Sequence, residues 1–163
     1  EVAIAALNPT VTVIPVVARA DATLLDELVA QADVVLDCCD NFATRHDINA
    51  ACVKHKKPLV SGAAIRFDGQ VVVYDARDDS SPCYACVFPP DDALLETRCA
   101  TLGVFAPLVG IIGSLQAAEA LKLLSGVGQA LTGRLLMLDA RAMEFTEIRI
   151  GRQAECPVCG TSH

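Results

Sequence analysis

The sequence predicts an α/β fold, an open sheet flanked by helices. Three observations carry that expectation. Short aliphatic or β-branched runs alternate with stretches of helical periodicity, in the order β-α-β-α-β followed by further strands and one more helix. The composition is 53% hydrophobic and 20% charged, with a mean hydropathy of +0.42, which argues for elements buried on both faces. The length, 163 residues, suffices for one domain with its own core.

The opening "EVAIAALNP" reads as the end of a helix, and "TVTVIPVVA" (10–18) as a strand, because it is rich in β-branched residues. "DATLLDELVAQA" (21–32) places apolar residues at helical spacing behind a candidate N-cap, Asp21 or Thr23. "DVVLDCC" (33–39) suits a central parallel strand, and "NFATRHDINAACVKHK" (41–56) is helical, with Phe42, Ile48, Ala51 and Cys52 on its apolar side. "PLVSGAAI" (58–65) and "GQVVVYD" (69–75) read as strands joined through a Phe-Asp-Gly turn. Residues 76–98 are irregular. A long buried helix is expected over about 107–125, ended near Gly126 and Gly128. "GRLLMLDARAMEFTEIRI" (133–150) gives two strands around an Asp-Ala-Arg turn.

Composition excludes several function classes. Aromatics are 4%, Trp is absent and the formal charge is −7, so neither a base-stacking platform nor a phosphate-backbone binder is expected; the one basic run is "KHKK" at 54–57. The uncharged stretch 100–118 is long enough to span a bilayer, but its Pro107, glycines, Ser114 and Gln116 fit a core helix better. The N-terminus shows no basic region followed by an apolar core and a cleavage site, so no signal peptide and no membrane span are expected. Eight cysteines without an export signal point to a reducing compartment, the cytoplasm.

Three groups of residues carry chemistry. The pairs Cys83/Cys86 and Cys156/Cys159 are both Cys-x-x-Cys, with Pro157 and Gly160 suited to a tight turn. Two such pairs make a tetrahedral four-cysteine site of the structural zinc kind, stapling the tail to the mid-chain loop. A redox pair, disulfides and coincidence are the competing readings; a redox pair normally opens a helix, and neither pair is expected to. Asp40 and Asn41 follow a buried strand, where open α/β sheets bind ligands; either side chain caps the next helix, or Asp40 holds Mg²⁺. Cys99, beside Arg98 and ahead of the long helix, is a candidate nucleophile or an ordinary small residue. Cys38, Cys39 and Cys52 read as core, and His46 and His55 as solvated. No G-x-G-x-x-G or P-loop occurs in the sequence.

The stretches "ADVVLDCCDNFATRHDINAACV", "KPLVSGAAIRFDGQVVVYD", "PCYACVFP", "CATLGVFAPLVGIIGSLQAAEALKLLSG" and "CPVCG" together resemble the MoeB/ThiF/HesA family, adenylyltransferases of ubiquitin-like sulfur carriers related to E1 enzymes. The resemblance implies an open Rossmann-like sheet of the E1/ThiF type with a four-cysteine zinc staple, and a chain (1–163) that matches the C-terminal two-thirds of one such domain, without its Gly-rich nucleotide-binding part. It implies adenylation, with ATP and Mg²⁺, of the C-terminal glycine of a MoaD-like or ThiS-like carrier, which then becomes a thiocarboxylate for molybdopterin or thiamin thiazole synthesis. Asp40 falls on the family's metal- and ATP-coordinating Asp and Asn41 on its neighbour at the nucleotide. Cys83, Cys86, Cys156 and Cys159 fall on the zinc ligands, and Cys99 on a cysteine that links to the carrier or handles sulfur in some members. A sulfur donor protein and a homodimer are the further partners implied. The alternative is a non-catalytic, zinc-stapled E1-like module that works through a partner.

Overall fold

The computed structural model describes residues 1–90 and 102–160. The elements are α1 (Val2–Leu7), α2 (Ala22–Gln31), β1 (Val35–Asp37), α3 (Phe42–Lys54), β2 (Pro58–Ile65), β3 (Asp68–Asp75), the one-turn α4 (Tyr84–Val87), α5 (Ala106–Ser125), β4 (Arg134–Asp139) and β5 (Glu144–Arg149). The strands form one sheet in the order β1-β2-β3-β4-β5, with β1 and β2 parallel and the other pairs antiparallel. The expected open α/β sheet with helices on both sides is therefore present.

Alternation along β2 and β3 builds two cores. Leu59, Val72 and Tyr74 face α2 and α3, where they meet Leu25, Val29, Ile48 and Cys52. Val60, Val71 and Val73 face α5 and meet Leu108, Ile112 and Ala120. A period of two in each strand sends successive side chains into opposite cores, so both faces of the sheet must be apolar.

Local signals explain the helix ends. Asp21 caps α2, accepting from the Leu24 amide at 2.9 Å, and Asn41 caps α3, accepting from the Thr44 amide at 2.9 Å. Gly126, at φ 68°, ends α5 in the left-handed conformation that only glycine adopts at little cost. The hairpin between β2 and β3 turns on Arg66 and Phe67, and Asp68, expected in the turn, already pairs with Ile65.

Four expectations are corrected. Residues 10–18 form no strand: the run is exposed for most of its length and pairs with nothing described, and β-branched residues without a neighbouring strand leave their backbone groups to water. Helix α5 is buried on one stripe only, with Val109, Leu121 and Leu124 each about half exposed or more. It is long and apolar enough to cross a membrane, yet its inner stripe packs against the sheet. Cys38 is exposed, because β1 ends at Asp37 before reaching it. His46 packs its ring edge-on against Tyr84, and burial lowers its pKa, while His55 pairs with Asp26 at 2.7 Å; neither is simply solvated.

At the carboxyl end of β1 sits a buried ion pair. Asp37 accepts from Arg45 Nη1 at 2.8 Å and from Ser61 Oγ at 2.9 Å, and Arg45 Nη2 donates to the Gly62 carbonyl at 2.9 Å and to the Cys39 carbonyl. From the opposite core, Gln116 Nε2 donates to the Asp37 carbonyl at 2.8 Å. A Cβ on Gly62 would lie 2.3 Å from the Gln116 carboxamide carbon, so this residue is glycine to admit that side chain. Arg45→Met should destabilise the fold by about 3–5 kcal/mol, because it strands a buried carboxylate; urea denaturation of the variant measures the loss.

Candidate functional site

A cleft of about 280 Å³ opens beyond the carboxyl ends of β1 and β2. The start of α3 and the sheet define it. Asp40 and Asn41 form one lip, Ala63, Ala64 and Ile65 the aliphatic floor, and Phe88 and Met137 the apolar far wall. Asn41 spends its carbonyl oxygen on the cap, whereas the Asp40 carboxylate has no hydrogen-bond or ion-pair partner among the described residues. Of the two candidate caps, Asn41 is the cap, and Asp40 stands exposed at the cleft.

Two charged neighbours were not found by sequence reasoning. Arg45 lines the cleft, but its charge is met by Asp37. Asp68 lines it too, and its one ion pair among the described residues is a loose 3.5 Å contact with exposed Arg141. Asp68 was hidden because Asp before Gly reads as turn chemistry; only its pairing with Ile65 turns the carboxylate toward Asp40's cleft. A cleft with the unpartnered Asp40 carboxylate, the loosely paired Asp68 and a neutralised guanidinium suits a hard cation with oxygen ligands.

The second constellation is the four cysteines. Cys83, Cys86, Cys156 and Cys159 are all buried and their sulfurs lie within 4.8 Å of one another, with neighbouring sulfurs at 3.4, 3.6 and 4.0 Å. Tetrahedral zinc with Zn–S bonds of about 2.3 Å needs sulfurs about 3.8 Å apart, so the donor set fits such an ion. All seven described cysteines are free thiols. Contrary to expectation, the first pair does open a helix: Cys83 is the N-cap of one-turn α4 and Cys86 lies within it. Geometry nonetheless sets each pair against the other rather than leaving either alone, as a redox pair would be.

Residues around the cluster hold the sulfurs. Asn49 of α3 donates to Cys83 Sγ at 3.6 Å and accepts from the Tyr84 amide at 2.8 Å. The Gln153 amide donates to Cys86 Sγ at 3.4 Å, and its side chain to the Cys86 carbonyl at 2.6 Å. At Cys156 burial opposes ionisation, but the Cys159 and Val158 amides and the Cys83 and Cys86 thiols outweigh it and hold the pKa down near 7. Gly160 closes the second turn, and a Cβ there would lie 2.4 Å from the Cys156 carbonyl oxygen. Cys99 lies outside the described residues.

The cluster also bears on the cleft. Phe88 ends α4, its amide bonded to the Tyr84 carbonyl at 2.9 Å, and its ring packs on Tyr84 and Phe42. Fixing Cys83 and Cys86 therefore fixes the apolar wall of the cleft.

Comparison with known proteins gives the family and the fold. The chain is 46% identical over 160 residues to the molybdopterin-synthase adenylyltransferase of Salmonella typhimurium, covering 97% of this chain and 63% of that protein. It is 42% identical over 157 residues to the sulfur carrier protein ThiS adenylyltransferase of Escherichia coli (96% and 61%), and 43% identical over 159 residues to the sulfur carrier protein adenylyltransferase of Thermus thermophilus (95% and 59%). The chain thus spans less than two thirds of these relatives' length. Among solved structures, Escherichia coli MccB superposes with a TM-score of 0.78 at 18% identity, covering 99% of this chain and 49% of MccB, which shows the same fold. The ThiF family profile matches residues 1–158, and the chain belongs to the ThiF family.

Proposed function

We propose that this chain is the C-terminal part (1–163) of a single adenylyltransferase domain that uses ATP to activate the C-terminal glycine of a ubiquitin-like sulfur carrier. The observation that carries the reading is the free Asp40 carboxylate at the mouth of a cleft beyond β1, in a family whose relatives are named adenylyltransferases. The reaction joins the carrier's carboxylate to the α-phosphate of ATP and releases pyrophosphate. Charge grows on phosphoryl oxygens, which a Mg²⁺ held there would neutralise. Asp40 is the proposed Mg²⁺ ligand and Asn41 the neighbouring residue at the nucleotide. The aliphatic floor at Ala63 to Ile65 suits a thin, extended peptide tail and keeps water from the reacting carboxylate. Exposed Met137 and Ile148, on one face of β4 and β5, offer the carrier an apolar docking surface beside it.

The product feeds molybdopterin or thiamin thiazole synthesis through a MoaD-like or ThiS-like thiocarboxylate, with a sulfur donor protein as second partner. Relatives named for both routes match at 46% and 42% identity. Cys99 is the proposed thiol for sulfur handling. Free thiols at the described cysteines support a cytoplasmic site. An open, uncommitted carboxylate favours catalysis over a purely structural E1-like module.

Cys83, Cys86, Cys156 and Cys159 are the proposed zinc ligands, in a structural role: the ion would tie the tail to α4 and so brace Phe88. Metal analysis of protein purified without chelator should give one zinc per chain, and stripping it should lower the melting temperature sharply, since structural metal binding is folding energy. A folded, reduced, metal-free chain would end this assignment.

Asp40→Ala should change stability by less than about 0.5 kcal/mol, because Asn41 is the cap. In protein complete with the Gly-rich segment it should abolish carrier-dependent ATP–pyrophosphate exchange. Cys99→Ala in the same assay should leave exchange intact. Exchange near the parent rate in Asp40→Ala removes the carboxylate from the mechanism.

A homodimer is proposed on the exposed side of α5, which bears the exposed apolar side chains Val109, Leu121 and Leu124. Leu121→Glu should shift the sedimenting species toward monomer.

A further inference from the structure

The floor of the cleft at Asp40 is not wholly aliphatic. Gln70 lines it too, from the middle of the sheet. It pairs with Ala63 on β2 and with Met137 on β4. Strand alternation fixes its face. Val71 and Val73 point to the core under α5, and Val72 and Tyr74 to the core under α2 and α3. Gln70 therefore continues the row of Val72 and Tyr74, at the place where the cover of the helices gives way to the cleft.

A polar side chain is out of keeping there. The strand runs on as Val71, Val72 and Val73, and Ala63, Ile65 and Met137 flank Gln70 on the same face. Yet its half-buried carboxamide has no hydrogen-bond partner among the described residues. The other buried or half-buried carboxamides among those residues are committed. Asn41 caps α3, Asn49 serves Cys83 and the Tyr84 amide, and Gln116 serves the Asp37 and Val60 carbonyls. The Tyr74 hydroxyl is the one fully buried side-chain polar atom left unpaired among the described residues, so the unpaired Gln70 carboxamide is open to the cleft. Neither packing nor capping accounts for it.

A carboxamide offers N–H donors and a carbonyl acceptor. That set complements the main chain of an extended peptide, whatever side chains the peptide bears. It also fits an adenine edge. The surroundings favour the peptide. Asp68 lies on the same face two residues away, Asp40 stands on the lip, and the Arg45 charge is already met by Asp37. A nucleotide brings its phosphate charge along with its base and meets two carboxylates on this floor. A neutral main chain is not repelled, and its N–H groups are drawn to them.

We infer that Gln70 is a carrier-binding residue of the adenylation proposed above, on which this inference rests. Its carboxamide accepts from the N–H and donates to the carbonyl of one residue in the carrier's extended tail, as a neighbouring strand would. The bonds read the extended form of the tail and set how far its terminal carboxylate reaches toward Asp40. Strands β1 and β3 are separated by β2 alone, so they lie about 10 Å apart. An extended chain spans this in about three residues. The residue held at Gln70 thus lies about three positions before the terminal carboxylate.

Carrier-dependent ATP–pyrophosphate exchange tests the assignment, in protein complete with the Gly-rich segment and with whichever of a MoaD-like or a ThiS-like carrier the parent uses. Gln70→Ala should raise the carrier KM about fivefold, and leave the ATP KM and the urea midpoint at their parent values. A semisynthetic carrier supplies the second arm, with an ester replacing the amide of the second, third or fourth residue from its terminus, since an ester lacks the N–H. At one of these positions the ester and Gln70→Ala together should cost no more than either alone. An unchanged carrier KM in Gln70→Ala, a rise in the ATP KM alone, or additive losses at all three ester positions overturns the role of Gln70 and leaves the adenylation reading standing. No carrier-dependent exchange in the parent, or undiminished exchange in Asp40→Ala, removes that reading and this inference with it.

Discussion

Asp37 and Arg45 form the contact on which the rest of the arrangement depends. A carboxylate and a guanidinium, 1% and 8% exposed at their side chains, lie where strand β1 ends and the site begins. Such burial is costly unless every lone pair and proton is used. Here Asp37 accepts from Arg45, Ser61 and the Cys39 amide, and Arg45 serves the Gly62 and Cys39 carbonyls as well. The pair therefore acts less as an adhesive than as a selector of one register. Ser61 and Gly62 belong to β2, Cys39 to the loop, and Arg45 to the second turn of α3. A one-residue slip of β1 against β2 would turn Asp37 away from Arg45 and leave both charges buried and alone.

The same point is gripped from the other side of the sheet. Gln116 reaches from α5 to the Asp37 and Val60 carbonyls, through the space left by Gly62. Helices on opposite faces are thus tied to the same strand end by polar side chains, inside cores that are otherwise aliphatic. With the loop carbonyl of Cys39 held by Arg45, the next residues have little freedom: Asn41 meets the first turn of α3 and Asp40 is left facing the cleft. Preorganisation of a carboxylate with no partner of its own is what a metal-binding position requires, since any local partner would have to be displaced first.

What could be read from the sequence follows from how local each cause is. Period and caps are local, so α2, α3, β2, β3, β4 and β5 emerged within a residue or two of their bounds. The cysteine spacing is a local signal with a long-range consequence, and the four sulfurs do converge. The 10–18 run misled because β-propensity says only that a segment fits a sheet, and a strand also needs a neighbour. Arg45, Asn49, Gln116 and Glu119 were unreadable for the opposite reason. Polar residues on a helix look solvent-facing, and nothing nearby in the chain reveals that Asp37, Cys83, the Val60 carbonyl and the Leu131 amide wait for them. The low amphipathic contrast of α3 is a consequence: its inner face carries an Arg and an Asn beside Ile48 and Cys52.

The cysteine cluster and the cleft then belong to one mechanical unit. Asn49 joins α3 to Cys83 and to the Tyr84 amide, and Arg45, one turn earlier on the same helix, joins α3 to β1 and β2. Tyr84 packs against Tyr74 below and Phe88 beside it. Helix α3 therefore ties three places together: its N-cap follows Asp40 at the cleft, and its buried middle fixes the strand end and the cysteine turn. Because rigid helices keep such positions in fixed relation, a metal bound at the cysteine turn would also order the wall at Phe88.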